Sequence, residues 1–122
     1  MPKRITPEGY VKKAVWDYLC LRGYKPGITL FRMNAGAMFG EHNGRKWRVA
    51  MAEPGTADLM VLKDERIFSS DGEFGFKPLW LELKAEKGKQ SPAQVEFQKR
   101  VEAEGHKYAV VRSIDDVKAL GL

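Results

Sequence analysis

The sequence predicts an α/β domain in which helices flank a mixed central sheet, in the order α-β-β-β-α-β-α. Three observations carry that expectation. A stretch with helical apolar spacing opens the chain behind its own start signal, Thr6-Pro7. A second start signal stands at Ser91-Pro92, with strand-like segments before and after it. Leu79 to Lys84 alternates at strand period. A length of 122 residues suits one domain with one core.

In the first helix a hydroxyl residue, Thr6, takes the N-cap position and a proline the first helical position. Val11, Ala14, Val15, Tyr18 and Leu19 recur at helical spacing, and Gly23 and Pro26 mark the end. Thr29 to Met33 reads as a strand. The Gly-rich basic stretch Asn34 to Arg48 reads as a loop or a ribbon turning at Asn43-Gly44, and Trp47 to Met51 as a short strand. Pro54-Gly55 turns into an apolar strand, Ala57 to Leu62. Asp64 to Lys77 is irregular, with a turn at Asp71-Gly72. Ser91 caps the second helix, and Gln94 stands where a capping box places Glu or Gln. Gly105 closes that helix. Tyr108 to Arg112 reads as a buried strand, and Ser113 caps a last short helix toward Leu120.

Composition narrows the function classes. With 43% hydrophobic and 30% charged residues the chain is not of the disordered type. No apolar run nears the ~20 residues of a membrane span, and Met-Pro-Lys-Arg is not followed by an apolar signal core, so a cytoplasmic location is expected. The single cysteine, Cys20, rules out an internal disulfide and two-cysteine zinc motifs. Residues 1–50 hold ten Lys/Arg against three Asp/Glu, whereas residues 51–81 hold three against six. A basic half beside an acidic middle suits a protein that attracts a polyanion and reserves carboxylates for a cation, although a solvated charged surface looks the same.

The candidate chemistry centres on Leu79-Trp80-Leu81-Glu82-Leu83-Lys84. Strand alternation puts the three leucines on one face and Trp80, Glu82 and Lys84 on the other. Glu82 and Lys84 are then either the wet side of a half-exposed strand or a catalytic pair. Asp58 opens an apolar strand although Asp is depleted in strands, so it is either a turn residue or a partner for Glu82. Two convergent carboxylates suit a hard divalent cation such as Mg²⁺ or Mn²⁺. Glu8 shares a helical face with Val11, Val15 and Leu19, and it either complements the helix dipole or joins those acids. Gln94 can cap its helix, face the site, or do both. Arg32, Arg45, Lys46 and Arg48, with Trp47 among them, could grip phosphates and stack on a base; solvated loop residues are the alternative. Asn34 is a substrate contact or a turn former. His42, His106 and Cys20 read as bystanders.

Pro54-Gly55-Thr56-Ala57-Asp58-Leu59, Trp80-Leu81-Glu82-Leu83-Lys84 and Gly88-Lys89-Gln90-Ser91-Pro92-Ala93-Gln94 together resemble the virus-type replication-repair nuclease (VRR-NUC) domain of the PD-(D/E)xK nuclease superfamily. Glu8 in a first helix, Arg32-Met33-Asn34-Ala35-Gly36 and the closing Gly105 to Ser113 extend the resemblance over nearly the whole chain, 1–122. Ala57 departs from the proline of the superfamily name, with Pro54 displaced upstream. The resemblance implies a restriction-endonuclease-like fold and metal-dependent endonuclease action on DNA. Its setting would be replication, repair or recombination, in phage or mobile-element biology. Asp58, Glu82 and the Leu83 carbonyl would hold Mg²⁺ or Mn²⁺, with Glu8 completing the shell or serving a second ion. Lys84 would orient the attacking water or stabilise the transition state, and Gln94 would steady the site. The small size suggests a homodimer on branched DNA. The alternative of another class is a non-catalytic DNA-binding module that keeps the fold.

Overall fold

The computed structural model describes residues 5–23, 28–63 and 78–122. The Asp64 to Lys77 segment with its Asp71-Gly72 turn, and the Pro26 stop signal, lie outside them.

Helix α1 (Pro7–Gly23) starts as its sequence requires, with the Thr6 hydroxyl accepting from the Gly9 amide at 3.0 Å. Strands β1 (Ile28–Arg32), β2 (Ala37–His42), β3 (Arg45–Ala50), β4 (Leu59–Lys63) and β5 (Leu79–Leu83) follow. Helix α2 (Pro92–Ala103), strand β6 (Lys107–Val111) and helix α3 (Ile114–Ala119) complete the order. The main sheet runs β1-β4-β5-β6, antiparallel except for the parallel β5–β6 pair. A parallel pair needs a long crossover, and α2 supplies it. The result is a mixed α/β architecture with three helices among the described residues. Strands β2 and β3 form a separate two-stranded ribbon. Five strands therefore separate α1 from α2, against the three of the expected order α-β-β-β-α-β-α, and three of the five belong to the main sheet.

The ribbon resolves the loop-or-ribbon alternative for Asn34 to Arg48. Asn43 and Gly44 both take positive φ, 51° and 77°. This is the combination a tight two-residue hairpin needs, and Asn-Gly is its favoured pair. The strand expected at Trp47 to Met51 starts two residues earlier and ends one residue earlier, at Arg45–Ala50. Trp47 lies across Gly40, its register partner, so closely that a Cβ at Gly40 would overlap the indole.

The core has two layers. Val15 and Leu19 of α1, and Val117 of α3, pack against Leu59, Val61, Leu79, Leu81, Leu83 and Val111 on one face of the sheet. Ala14, expected on the buried stripe, is exposed. On the other face Ala57, Phe97 and Val101 pack with Trp80 and Tyr108, the Trp80 and Phe97 rings meeting edge-on at 5.1 Å. Strand β5 is therefore central and covered on both sides. The half-exposed strand is overturned: Glu82 is 2% and Lys84 8% exposed.

The loop before β4 is fitted onto α2. Gly55 has φ +92°, and a Cβ there would overlap the Ala93 carbonyl in the first turn of that helix. The neighbouring Glu53 pairs with Arg100 of the same helix. Gly55→Ala combines a left-handed backbone with a steric overlap and is expected to cost about 2 kcal/mol or more. A urea unfolding curve with an unchanged midpoint would contradict that fit.

Candidate functional site

Side chains from the first turns of α1 and α2, Glu8 and Gln94, both reach the C-terminal end of β5, and the chemistry-bearing side chains gather there. Asp58 lies just ahead of β4, not within a strand as expected. Its backbone carbonyl accepts from Met33 N–H at 2.8 Å, which ties it to the end of β1. Its side-chain Oδ2 accepts from the Leu83 amide at 2.7 Å. The β4–β5 ladder ends at Leu59–Leu81, so this carboxylate takes up a backbone donor that the ladder leaves free. In an extended strand the N–H and C=O of one residue point to the same edge. The Leu83 carbonyl therefore lies on the Asp58 side, while Lys84 N–H bonds Val111 on the other edge.

Glu82 sits beside Asp58. Gln94 Nε2 donates to Glu82 Oε1 at 2.9 Å, and Gln94 Oε1 accepts from the Ser91 amide at 2.8 Å. The cap-or-site alternative for Gln94 thus resolves to both: its carbonyl end closes the capping box and its amide end holds the acid. Glu82 Oε2 is buried and has no hydrogen-bond partner among the described residues, a state shared only with Trp80 Nε1. Burial first, and then the nearby Asp58 carboxylate, pushes the Glu82 carboxyl up to about 8, with Lys84 and Lys12 pulling the other way.

Lys84 Nζ stands between two acids, 3.3 Å from Glu8 Oε1 and 3.7 Å from Glu82 Oε1. Among the described residues Glu8 reaches the site through lysines, its other oxygen lying 3.6 Å from Lys12 Nζ. Lys12 in turn is 3.3 Å from Asp58 Oδ1. Sequence reasoning missed Lys12, which reads as one of two adjacent lysines on an amphipathic helix. It also missed Arg112. The Arg112 Nη1 lies within 3.2 Å of the Ala85, Glu86 and Gly88 carbonyls, and so secures the loop that follows Lys84.

A shallow cleft opens beside Asp58, lined by Lys12, Trp16, Arg32, Met33, Asn34, Leu59 and Leu83. Arg32 stacks on Trp16 with its guanidinium 5.3 Å from the ring centre. Arg32 and Asn34 therefore belong to the site's rim. Arg45, Lys46, Trp47 and Arg48 do not; they stand on exposed β3, out along the ribbon. Six extended residues reach about 20 Å. Register puts Arg45 and Trp47 on one face of the ribbon, and Lys46 and Arg48 on the other. His42 is exposed at the end of β2 beside the turn, and His106 lies 3.8 Å from Glu104; neither lines the cleft beside Asp58.

The residues fit a small divalent cation. Mg²⁺ and Mn²⁺ are bound through one or two carboxylates and keep several waters. Asp58 and Glu82 supply two carboxylates, Leu83 a carbonyl, and the unpartnered Glu82 Oε2 lacks the partner that a cation would provide. No group of three or more Asp, Glu, His or Cys side chains is gathered for a metal among the described residues. Glu8 thus stands apart from the pair, held by the ammonium groups.

No family model, curated protein or solved structure matches the chain. Among the described residues no helix is long and apolar enough to cross a membrane.

Proposed function

We propose that this chain is a divalent-cation-dependent endonuclease that hydrolyses DNA phosphodiester bonds, with the restriction-endonuclease-like core and VRR-NUC character that its motifs resemble. The observation that carries this reading is the convergence of Asp58, Glu82 and Lys84 with the Leu83 backbone at one end of a central strand. Glu82 and Lys84 are buried side by side next to the part-exposed Asp58 carboxylate, which lines the cleft; this is a costly arrangement that a purely structural role would leave unexplained.

Asp58, Glu82 and the Leu83 carbonyl would hold Mg²⁺ or Mn²⁺. That ion, when bound, polarises the phosphate and acidifies water. Lys84, flanked by Glu8 and Glu82, suits stabilisation of the charge that develops on the phosphate oxygens. Gln94 fixes the Glu82 carboxylate, and Glu8 positions Lys84. Arg32 and Asn34 line the approach. A homodimer acting on branched DNA, inside a cell and in replication or repair, would give so small a domain sufficient contact area.

The test is incubation with linear, flap and four-way-junction DNA, with and without Mn²⁺. Cleavage only with the ion supports the reading; binding without cleavage under every condition would favour a DNA-binding module. The ribbon supplies an independent check. Replacing Arg45, Lys46 and Arg48 together with alanine is expected to flatten the slope of log affinity against log salt by up to about 3, roughly one for each lost phosphate contact. An unchanged slope would place the ribbon away from DNA.

A further inference from the structure

Lys12 holds a position that the proposed function gives to something else. Its ammonium bridges Asp58 Oδ1 at 3.3 Å and Glu8 Oε2 at 3.6 Å. It sits at the edge of the cleft beside Asp58 and Leu83, the residues assigned to the cation. Its side chain is 40% exposed, so the arm has open space to swing into. Lys84, the other site lysine, is nearly buried between Glu8 and Glu82 and has no such freedom. The two lysines also divide the site. Glu8 takes both, Asp58 takes Lys12, and among the described residues Glu82 Oε2, at the buried end, takes neither a hydrogen bond nor an ion pair.

We propose that Lys12 is the resident cation of the metal-free site, neutralising Asp58 until a divalent ion displaces its ammonium into the cleft lined by Trp16, Arg32 and Asn34. This rests on the reading of Asp58 and Glu82 as metal ligands. Displacement follows from charge. A divalent ion on Asp58 repels an ammonium 3.3 Å from the same carboxylate and weakens the attraction that holds it there. Glu8 keeps Lys84 as its partner when Lys12 leaves, so no carboxylate is stranded. The released ammonium then faces the approach beside Arg32, where a phosphate of the substrate would meet it. Loading with the ion and gripping the polyanion would thus be coupled through one side chain.

The experiment uses the full chain without DNA. Mn²⁺ is titrated calorimetrically into wild type and Lys12→Met, which keeps most of the aliphatic stem and removes the charge. Affinity is expected to rise at least about threefold in the variant, the scale of a partly exposed ion pair. In wild type, acylation of lysines read by mass spectrometry is expected to show Lys12 protected without Mn²⁺ and labelled with it, while exposed Lys13 stays constant. The labelling needs no variant, so it stands even if Lys12→Met folds poorly. Mn²⁺ binding with equal affinity in both proteins, and unchanged Lys12 labelling, would overturn the displacement while leaving the metal site intact. Absence of Mn²⁺ binding in both would overturn the metal site and this inference with it.

Discussion

Asp58→Asn is expected to lose cleavage by about 10³-fold or more, the equivalent of the several kcal/mol that a correctly held ion contributes to a phosphoryl reaction. The amide retains an oxygen that can accept from Leu83 N–H, so the local backbone keeps its hydrogen bond. What disappears is the charge facing Glu82 and Lys12. Mn²⁺ affinity should fall with it, and equal affinity in wild type and Asp58→Asn would refute the ligand role.

The same variant carries a stability signature. In the metal-free protein the Glu82 carboxyl titrates near 8, against an ordinary value of 4.5. Between those values the folded state holds a proton that the unfolded chain has released. Stability therefore falls as pH rises from about 4.5 toward 8, and the penalty is absent below that window. Burial is the largest cause and persists in Asp58→Asn; the Asp58 charge, the next cause, does not. The variant should thus show a shallower decline in melting temperature across the window, and saturating Mn²⁺ should flatten the wild-type decline. Parallel pH profiles with and without Asp58 would show that the two carboxylates do not interact.

Lys84→Met is expected to fail by a different route. Cleavage should drop about 10²- to 10³-fold, the scale seen when one preorganised charge-stabilising group is removed from a reacting centre. Mn²⁺ affinity should be kept or rise, because the change removes a positive charge 3.7 Å from Glu82 Oε1. Methionine fills the space of a side chain that is almost wholly covered, so no large cavity is left. Calorimetric titration beside a single-turnover cleavage assay separates the two roles. A parallel loss of metal affinity and activity would make Lys84 a structural partner of Glu82 and not a catalytic group.

Much of the site was legible because local rules conflicted with local residues. Asp58 stood beside an apolar strand that Asp disfavours, and Glu82 and Lys84 stood on one face of a strand whose other face is all leucine. Gln94 was legible as a cap because a capping box lies within four residues. Its second bond, to Glu82, spans 12 residues, and only the packing of α2 against β5 brings the two together. Glu8 was placed on the right face of α1, but its lysine partners were not foreseen. A lysine on a solvated helix looks the same in sequence whether or not an acid from another strand reaches it. Arg112 was invisible for a related reason, since its partners are backbone carbonyls that no residue type announces.

The sequence by itself determined most of the elements, leaving Asn34 to Arg48 open between loop and ribbon. Caps at Thr6, Ser91 and Ser113, the Asn43-Gly44 turn, and the alternation from Leu79 to Lys84 are short-range codes, each settled by neighbouring residues. Only the tertiary structure decided what those elements face. Covering β5 on both sides turned Glu82 and Lys84 from a wet edge into a buried pair. The first turns of α2 and α1 reach the end of that strand, and gave Glu82 the Gln94 amide and Lys84 the Glu8 carboxylate. Forming β2 and β3 as a separate ribbon left Arg45 and Lys46 exposed on it and outside the cleft beside Asp58. Hydrogen-bonded caps and turns act over one to four residues, whereas burial and charge depend on which distant segments the sheet order brings into contact.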